Sequence, residues 1–173
     1  MDARLMPHDE VYREELPSIW GWLGPAFFFA IAVLMAVFYF IQRTSGPIGS
    51  DPEPGWFYLA MAAFYLILGI LIINFTKLTV SAGPKGITAA YGRFSHFEPW
   101  DNIESVARDE RSTLRYYGGW GIRFGRKDGG SVLVYNTTGA SLLLLRLKQG
   151  KRKYFGFSTK RPDEVTALVN KWK

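Results

Sequence analysis

The chain contains no cysteine. Disulfides, zinc–thiolate sites and thiol catalysis are therefore excluded. Histidine is nearly missing as well, with only His8 and His96. Neither has a second histidine four residues on, and no carboxylate pair brackets them, so metal-ligand spacing is lacking. Ser95, His96 and the nearby Asp101 do not make a nucleophilic triad, because adjacent strand residues point to opposite faces. Gly118-Gly119-Trp120-Gly121 is rich in glycine, but no Lys-Ser/Thr pair follows and no helix begins there, which excludes a phosphate loop. Without an acid, base, nucleophile or metal cluster, an enzyme is the poorest reading. We expect no catalytic residue, no cofactor, no metal and no small-molecule substrate.

Charge is absent from two long stretches. Residues 56–75 (WFYLAMAAFYLILGILIINF) carry none over 20 residues, and residues 19–41 carry none over 23. A 20-residue helix is roughly 30 Å long, the thickness of a bilayer's hydrocarbon core. Tryptophans mark an interface end of each: Trp20 and Trp22 in the first, Trp56 in the second. A buried core helix would keep a polar stripe, and the second stretch has polar contact only at Asn74. We read both as membrane spans. Gly24-Pro25 is expected in the first helical turn, where proline costs least. Ala26/Ala30 and Ala32/Ala36 give spacing that would let a neighbouring helix approach closely. Residues 42–55 hold three prolines and three glycines and read as a turn-rich loop.

The chain also lacks a secretory signal's basic start and short apolar core. Residues 1–17 are polar, with two arginines against five acids. They are either a surface helix or partner-binding arm, or a frayed tail. Residues 76–173 have the opposite balance, 18 Lys and Arg against 8 Asp and Glu. A basic domain beside a bilayer suggests anionic headgroups or an acidic protein before it suggests nucleic acid. The expected organisation is thus a tail (1–17), a transmembrane hairpin (18–75) and one domain (76–173). The loop between the spans holds only Arg43, whereas Arg4, Arg13, Lys77, Lys85 and Arg93 flank their other ends. The positive-inside rule then places both termini and the domain in the cytoplasm, with the spans in the inner membrane. Lys77-Leu-Thr-Val-Ser-Ala alternates like a strand straight after the second span, so no flexible linker intervenes.

From Lys77 onward the pattern is all-β. Strands are expected at about 77–82, 86–92, 102–109, 120–125, 131–136, 141–148 and 152–157, separated by turns such as Gly83-Pro84-Lys85-Gly86 and Asp128-Gly129-Gly130. Leu142 to Leu145 read as a strand buried on both faces or lying at a barrel corner. Arg161-Pro162-Asp163-Glu164 opens a helix with proline and acids where a first turn wants them. Val165, Leu168, Val169 and Trp172 line one face of it.

Several strings carry a family resemblance. They are Leu78-Thr-Val, Gly86-Ile, Trp100-Asp-Asn-Ile-Glu-Ser-Val, Tyr117-Gly-Gly-Trp-Gly-Ile-Arg123, Asn136-Thr-Thr-Gly139 and Ser158-Thr-Lys-Arg-Pro-Asp-Glu164. With the paired spans ahead of them, they resemble the bacterial pleckstrin-homology-like (PH-like) membrane proteins of unknown function. In layout, though not in motifs, the chain is also similar to the two-span photosystem I assembly factors. The resemblance implies a bent two-sheet barrel of about seven strands plugged by the C-terminal helix. It transfers no catalytic residue. PH domains that bind inositol phosphates cluster Lys and Arg around their first hairpin, and here that turn holds only Lys85.

Two candidate surfaces follow. The turns expected to return toward the membrane hold Arg93, Arg126, Lys127, Lys148, Lys151, Arg152 and Lys153, a candidate contact for anionic lipid headgroups. A solvated hairpin tip that guards a strand edge would look the same. The far strand ends should gather residues 109–120, 136–139 and 158–162. Arg115, Tyr116, Tyr117, Trp120 and Arg123 there have the composition of a protein-binding surface, although a kinked strand with Trp120 on the core fits the glycine string too. The function these readings imply is non-catalytic. They describe an integral membrane protein whose PH-like domain binds protein partners as an accessory, assembly or scaffold subunit, or, alternatively, senses anionic lipid.

Overall fold

The structure, a computed structural model, describes residues 11–47, 49, 53–111 and 116–173, including all their side chains except those of Ile19 and Trp20. These residues form two compact units, one from Ile19–Thr76 and one from residues 11–18 together with Lys77–Lys173.

The first unit is a pair of antiparallel helices, α1 (Ile19–Ser45) and α2 (Gly55–Ile73). Both are long and apolar enough to cross a membrane. α1 runs four residues past the uncharged stretch, and α2 stops two short of it. Because α1 starts at Ile19, Pro25 lies inside the helix and not in its first turn. Aromatic rings interleave along the pair, Phe28 on Tyr65 at 6.1 Å and Phe38 on Tyr58 at 6.1 Å. The close approach is made at Gly69, where a Cβ would collide with the Phe29 ring. Of the alanines with small-residue spacing, Ala32 is buried, whereas Ala26 and Ala30 face outward. Large apolar side chains such as Phe27, Val33, Phe40, Ile67 and Ile70 also stay exposed. Water would penalise that surface at about 25 cal/mol per Å², but hydrocarbon would not.

The second unit holds two sheets and a helix. Among the described residues, strands β1 (Tyr12–Pro17), β2 (Lys77–Gly83), β3 (Gly86–Tyr91) and β4 (Phe94–Pro99) make an antiparallel sheet in that order. A 3-10 turn, Trp100–Asn102, leads to the second sheet. That sheet comprises β5 (Ile103–Asp109), β6 (Gly121–Lys127), β7 (Gly130–Asn136), β8 (Ser141–Leu147) and β9 (Tyr154–Thr159), ordered β5-β8-β9-β7-β6. The chain closes with α3 (Pro162–Trp172), which packs on β5 and β8.

Among the described residues nine strands replace the seven expected, and the two sheets do not close into a barrel. The two additional strands are β1 and β4. β1 lies within the segment expected to be a tail. It precedes the first helix in sequence yet pairs with β2, which follows the second; Pro17 faces Lys77 and Tyr12 faces Ala82. The unit is therefore assembled from both flanks of the helix pair. Tyr12, Glu14 and Leu16 point inward while Arg13 and Glu15 point out. The inward carboxylate is satisfied: Glu14 accepts bonds from the Tyr12 hydroxyl (2.8 Å), the Thr159 hydroxyl (2.6 Å) and the Lys160 amide (3.0 Å). Arg161 closes the clamp. Its guanidinium lies 4.4 Å over the Tyr12 ring and donates to the Arg13 carbonyl.

Strand order also departs from a simple meander. β9 inserts between β8 and β7 and runs parallel to β7. One face of the second sheet, with Leu143, Leu145, Phe155 and Phe157 fully buried, meets the first sheet, where Tyr91 stacks on Tyr135 at 6.3 Å. The other face carries a cluster of Val132, Val134, Leu142, Leu144, Tyr154 and Tyr117. The run at 142–145 is thus buried on both faces, as its unbroken apolarity implies. On α3, Val165 and Val169 are buried, and Trp172 meets Trp100 at 6.2 Å. The Trp100 indole N–H in turn donates to the Gly83 carbonyl at 2.8 Å.

Candidate functional site

Two surfaces of the β unit gather the residues singled out in the sequence. The first is an aromatic corner between β5 and β6. Asp109, the last residue of β5, is buried and accepts a bidentate pair from Arg111 (Nε to Oδ1 and Nη2 to Oδ2, both 2.8 Å). The Tyr117 hydroxyl adds a third bond at 2.7 Å. Arg111 then lies 4.2 Å over the Tyr116 ring. Next come Gly118, Gly119 and Gly121, all at positive φ, the conformation that turns the chain into β6 and that a side chain would resist. The buried Asn136 ties this turn down by donating to the Gly119 carbonyl at 3.0 Å.

The corner sorts its aromatics differently from the sequence expectation. Tyr117 is 4% exposed and belongs to the core, so it cannot serve as a contact residue. Its hydroxyl meets Asp109 and its ring fills the space over Gly125, where a Cβ would press on it. Tyr116 (56% exposed) and Trp120 (42% exposed) remain on the surface, and the exposed Arg123 lies against Gly119. Trp120 is thus not the packed core residue of the kinked-strand reading. Arg115 lies outside the described residues. Asn136 opens the sequence Asn-Thr-Thr, but its full burial leaves no room for a glycan.

The second surface is a basic groove. The parallel pairing of β7 and β9 sets their starts side by side, Val132 opposite Tyr154. The two preceding turns are consequently knitted together. Lys153 N–H donates to the Ser131 carbonyl (3.0 Å), and the Ser131 hydroxyl donates to the Lys151 carbonyl (2.8 Å). The Lys153 stem lies across Gly130, where any Cβ would displace it. Arg126, Lys148, Lys151, Arg152 and Lys153 line one depression of about 530 Å³. Lys151 and Arg152 also line a neighbouring one of about 580 Å³, walled by His96, Glu98, Phe124 and Val132. Lys127 points to the Tyr154 ring, 5.6 Å away.

Arg93 is not part of this gathering. It sits in the turn before Phe94, at one end of β4, whereas Lys148 and Gln149 bond to Asp101 and Asn102, just beyond the other end. The strand directions expected from sequence hold within the second sheet but do not carry over to the first, since the chain passes between them through the 3-10 turn.

Sequence reasoning missed the groove's wall. His96 and Glu98 share one face of β4, and His96 Nε2 donates to the buried Glu98 carboxylate at 3.1 Å. Arg152 Nη1 donates to His96 Nδ1 at 3.4 Å. Asn102 adds a 2.6 Å bond to Glu98. The i, i+2 spacing of histidine and glutamate was the available signal, but β4 itself was not recognised as a strand. Among the described residues, no three of His, Asp and Glu come together as a metal site would require.

Compared with family models, curated proteins and solved structures, the chain finds no match. The functional reading therefore rests on the geometry of these two surfaces.

The aromatic corner has a pH signature. Burial pushes the Asp109 carboxyl up, but the bonds from Arg111 and Tyr117 outweigh it and hold it at about 2, below its ordinary 3.8. A depressed folded-state pKa contributes stability above the unfolded value and loses it as pH falls through the folded one. Stability should therefore drop between about pH 4 and pH 2, by on the order of 2 kcal/mol. Thermal unfolding of the protein in detergent should show this drop, and Asp109→Asn should start lower and lack it. An unchanged acid dependence in Asp109→Asn would refute the assignment.

Proposed function

We propose that this is a non-catalytic integral membrane protein whose β unit docks a protein partner, as an accessory, assembly or scaffold subunit. The observation that carries this reading is the braced aromatic corner. Tyr116 and Trp120 stand exposed on a frame fixed by the Asp109–Arg111–Tyr117 bonds and the Asn136–Gly119 bond. Aromatic and arginine side chains that need little further ordering on binding are the usual anchors of protein interfaces. Two packed sheets and a C-terminal helix support a PH-like module. The β6–β7 hairpin and the parallel β7–β9 pair then elaborate its second sheet.

Assembly from both flanks of the helix pair suits a scaffold. One residue separates β1 from α1, and three separate α2 from β2. A partner held on the β unit is thereby held at the membrane. The orientation we favour places both termini and the β unit in the cytoplasm, following the lysine and arginine bias at the helix ends.

Tyr116→Ala combined with Trp120→Ala should release a partner that co-purifies with the intact protein in mild detergent, with thermal stability unchanged. Retention of every partner by this folded variant would remove the corner from consideration. For orientation, Glu53→Cys and Asp163→Cys introduce single cysteines at exposed positions into a chain that has none. From outside intact cells, an impermeant thiol reagent should label the first and not the second. The reverse pattern would invert the topology.

A further inference from the structure

We infer that the basic groove is a binding site for the phosphate of an anionic phospholipid headgroup, separate from the aromatic corner. Four observations converge. Five cationic side chains, Arg126 near the end of β6 and Lys148, Lys151, Arg152 and Lys153 between β8 and β9, line one depression. Among the described residues, none of the five forms an ion pair. Gathering like charges opposes folding, and a bound anion would relieve that repulsion.

The arrangement is concave and partly preorganised. The two turns are fixed to each other by the bonds of Ser131 and Lys153. Arg152, which with Lys151 lines both depressions, is held by His96 Nδ1, and its guanidinium lies 5.8 Å from the centre of the Phe124 ring. His96 is oriented in turn by the Glu98 carboxylate and by an edge-on contact with Phe155 at 4.5 Å. A guanidinium held in this way loses little freedom when it forms paired hydrogen bonds to phosphate oxygens.

The adjoining apolar surface favours a lipid over a soluble phosphate. Phe124 is 73% exposed on β6 beside Arg152. Val132, Leu147 and Phe97 extend the apolar lining into the groove. A free phosphate has no use for this surface, whereas the glycerol and upper acyl carbons of a phospholipid do. The site also differs from the first-hairpin location of inositol-phosphate-binding PH domains, because the β2–β3 turn carries only Lys85.

The test uses the full-length protein in a neutral detergent, titrated with dioctanoyl phosphatidylglycerol, dioctanoyl phosphatidylcholine, inorganic phosphate and a poly-glutamate peptide. Phosphatidylglycerol should bind saturably, and more tightly than phosphatidylcholine or inorganic phosphate. Lys151→Ala with Arg152→Ala should weaken it by about tenfold or more, the order expected for losing charge-assisted bonds to phosphate. Lys151→Glu, a change at an exposed side chain, should weaken it without altering the unfolding midpoint. Phe124→Ser should weaken the lipid and leave inorganic phosphate unchanged. Lys85→Ala, a control on the first sheet, should change nothing. Equal binding of both phospholipids, or wild-type binding by the folded Lys151→Glu protein, would overturn the site. Inorganic phosphate binding as tightly as the lipid would overturn the lipid assignment. Binding of poly-glutamate in place of the phospholipid would overturn it in favour of an acidic protein segment.

Discussion

Everything in the β unit depends on the pairing of β1 with β2. The two strands are separated in sequence by the whole helix pair, yet they face each other residue by residue from Tyr12–Ala82 to Pro17–Lys77. β1 is an edge strand of the four-stranded sheet, so backbone bonds hold it on one side only. What fixes it is the inward Glu14, which reaches across to the C-terminal end of β9 and accepts from Thr159 and Lys160. A buried carboxylate without partners would be strongly destabilising. With three donors it becomes a specific lock, because only one register of β1 brings Glu14 to Thr159. Arg161, stacked on Tyr12, ties the same strand to the start of α3.

That lock joins the first strand of the unit to its last strand and helix. It also closes a loop in which the two apolar helices are an insertion between two adjacent strands. Loop closure of this kind costs entropy that grows only slowly with length, and helices formed in a bilayer would already shorten the effective loop. One residue joins β1 to the first helix, and three join the second helix to β2. Both candidate surfaces are fixed within the β unit itself. The aromatic corner is bolted to the end of β5 and to Asn136 at the end of β7, and the groove to the starts of β7 and β9.

Much of this was legible in the sequence, and the gaps have physical reasons. The two uncharged runs announce the helices, and turn residues mark most of the strands after Lys77. The 142–145 run announces a strand buried on both faces, and Pro162 with its acids announces α3. β1 was hidden because its inward positions read Tyr, Glu, Leu; a glutamate in the buried register breaks the alternation that identifies a strand. β4 was hidden because it mixes Phe94, His96 and Glu98 and ends at Pro99, as edge strands can. Composition could locate the basic turns but not how they are joined, since only the insertion of β9 beside β7 brings 126–131 against 148–153. Neighbouring Tyr116 and Tyr117 look alike in a sequence. Only the position of Asp109 decides which one turns inward.

The pairing of β1 with β2 can be measured directly, because the natural chain offers no competing thiol. Glu15→Cys and Thr79→Cys sit opposite each other in the register, within reach of a disulfide. Arg13→Cys with Lys77→Cys is the control, four residues out of register and about 13 Å apart along the strand. Mild oxidation of the purified protein should cross-link the first pair rapidly and the second hardly at all. Absence of the Glu15–Thr79 cross-link, or equal cross-linking of both pairs, would contradict a β unit assembled from the two flanks of the helix pair.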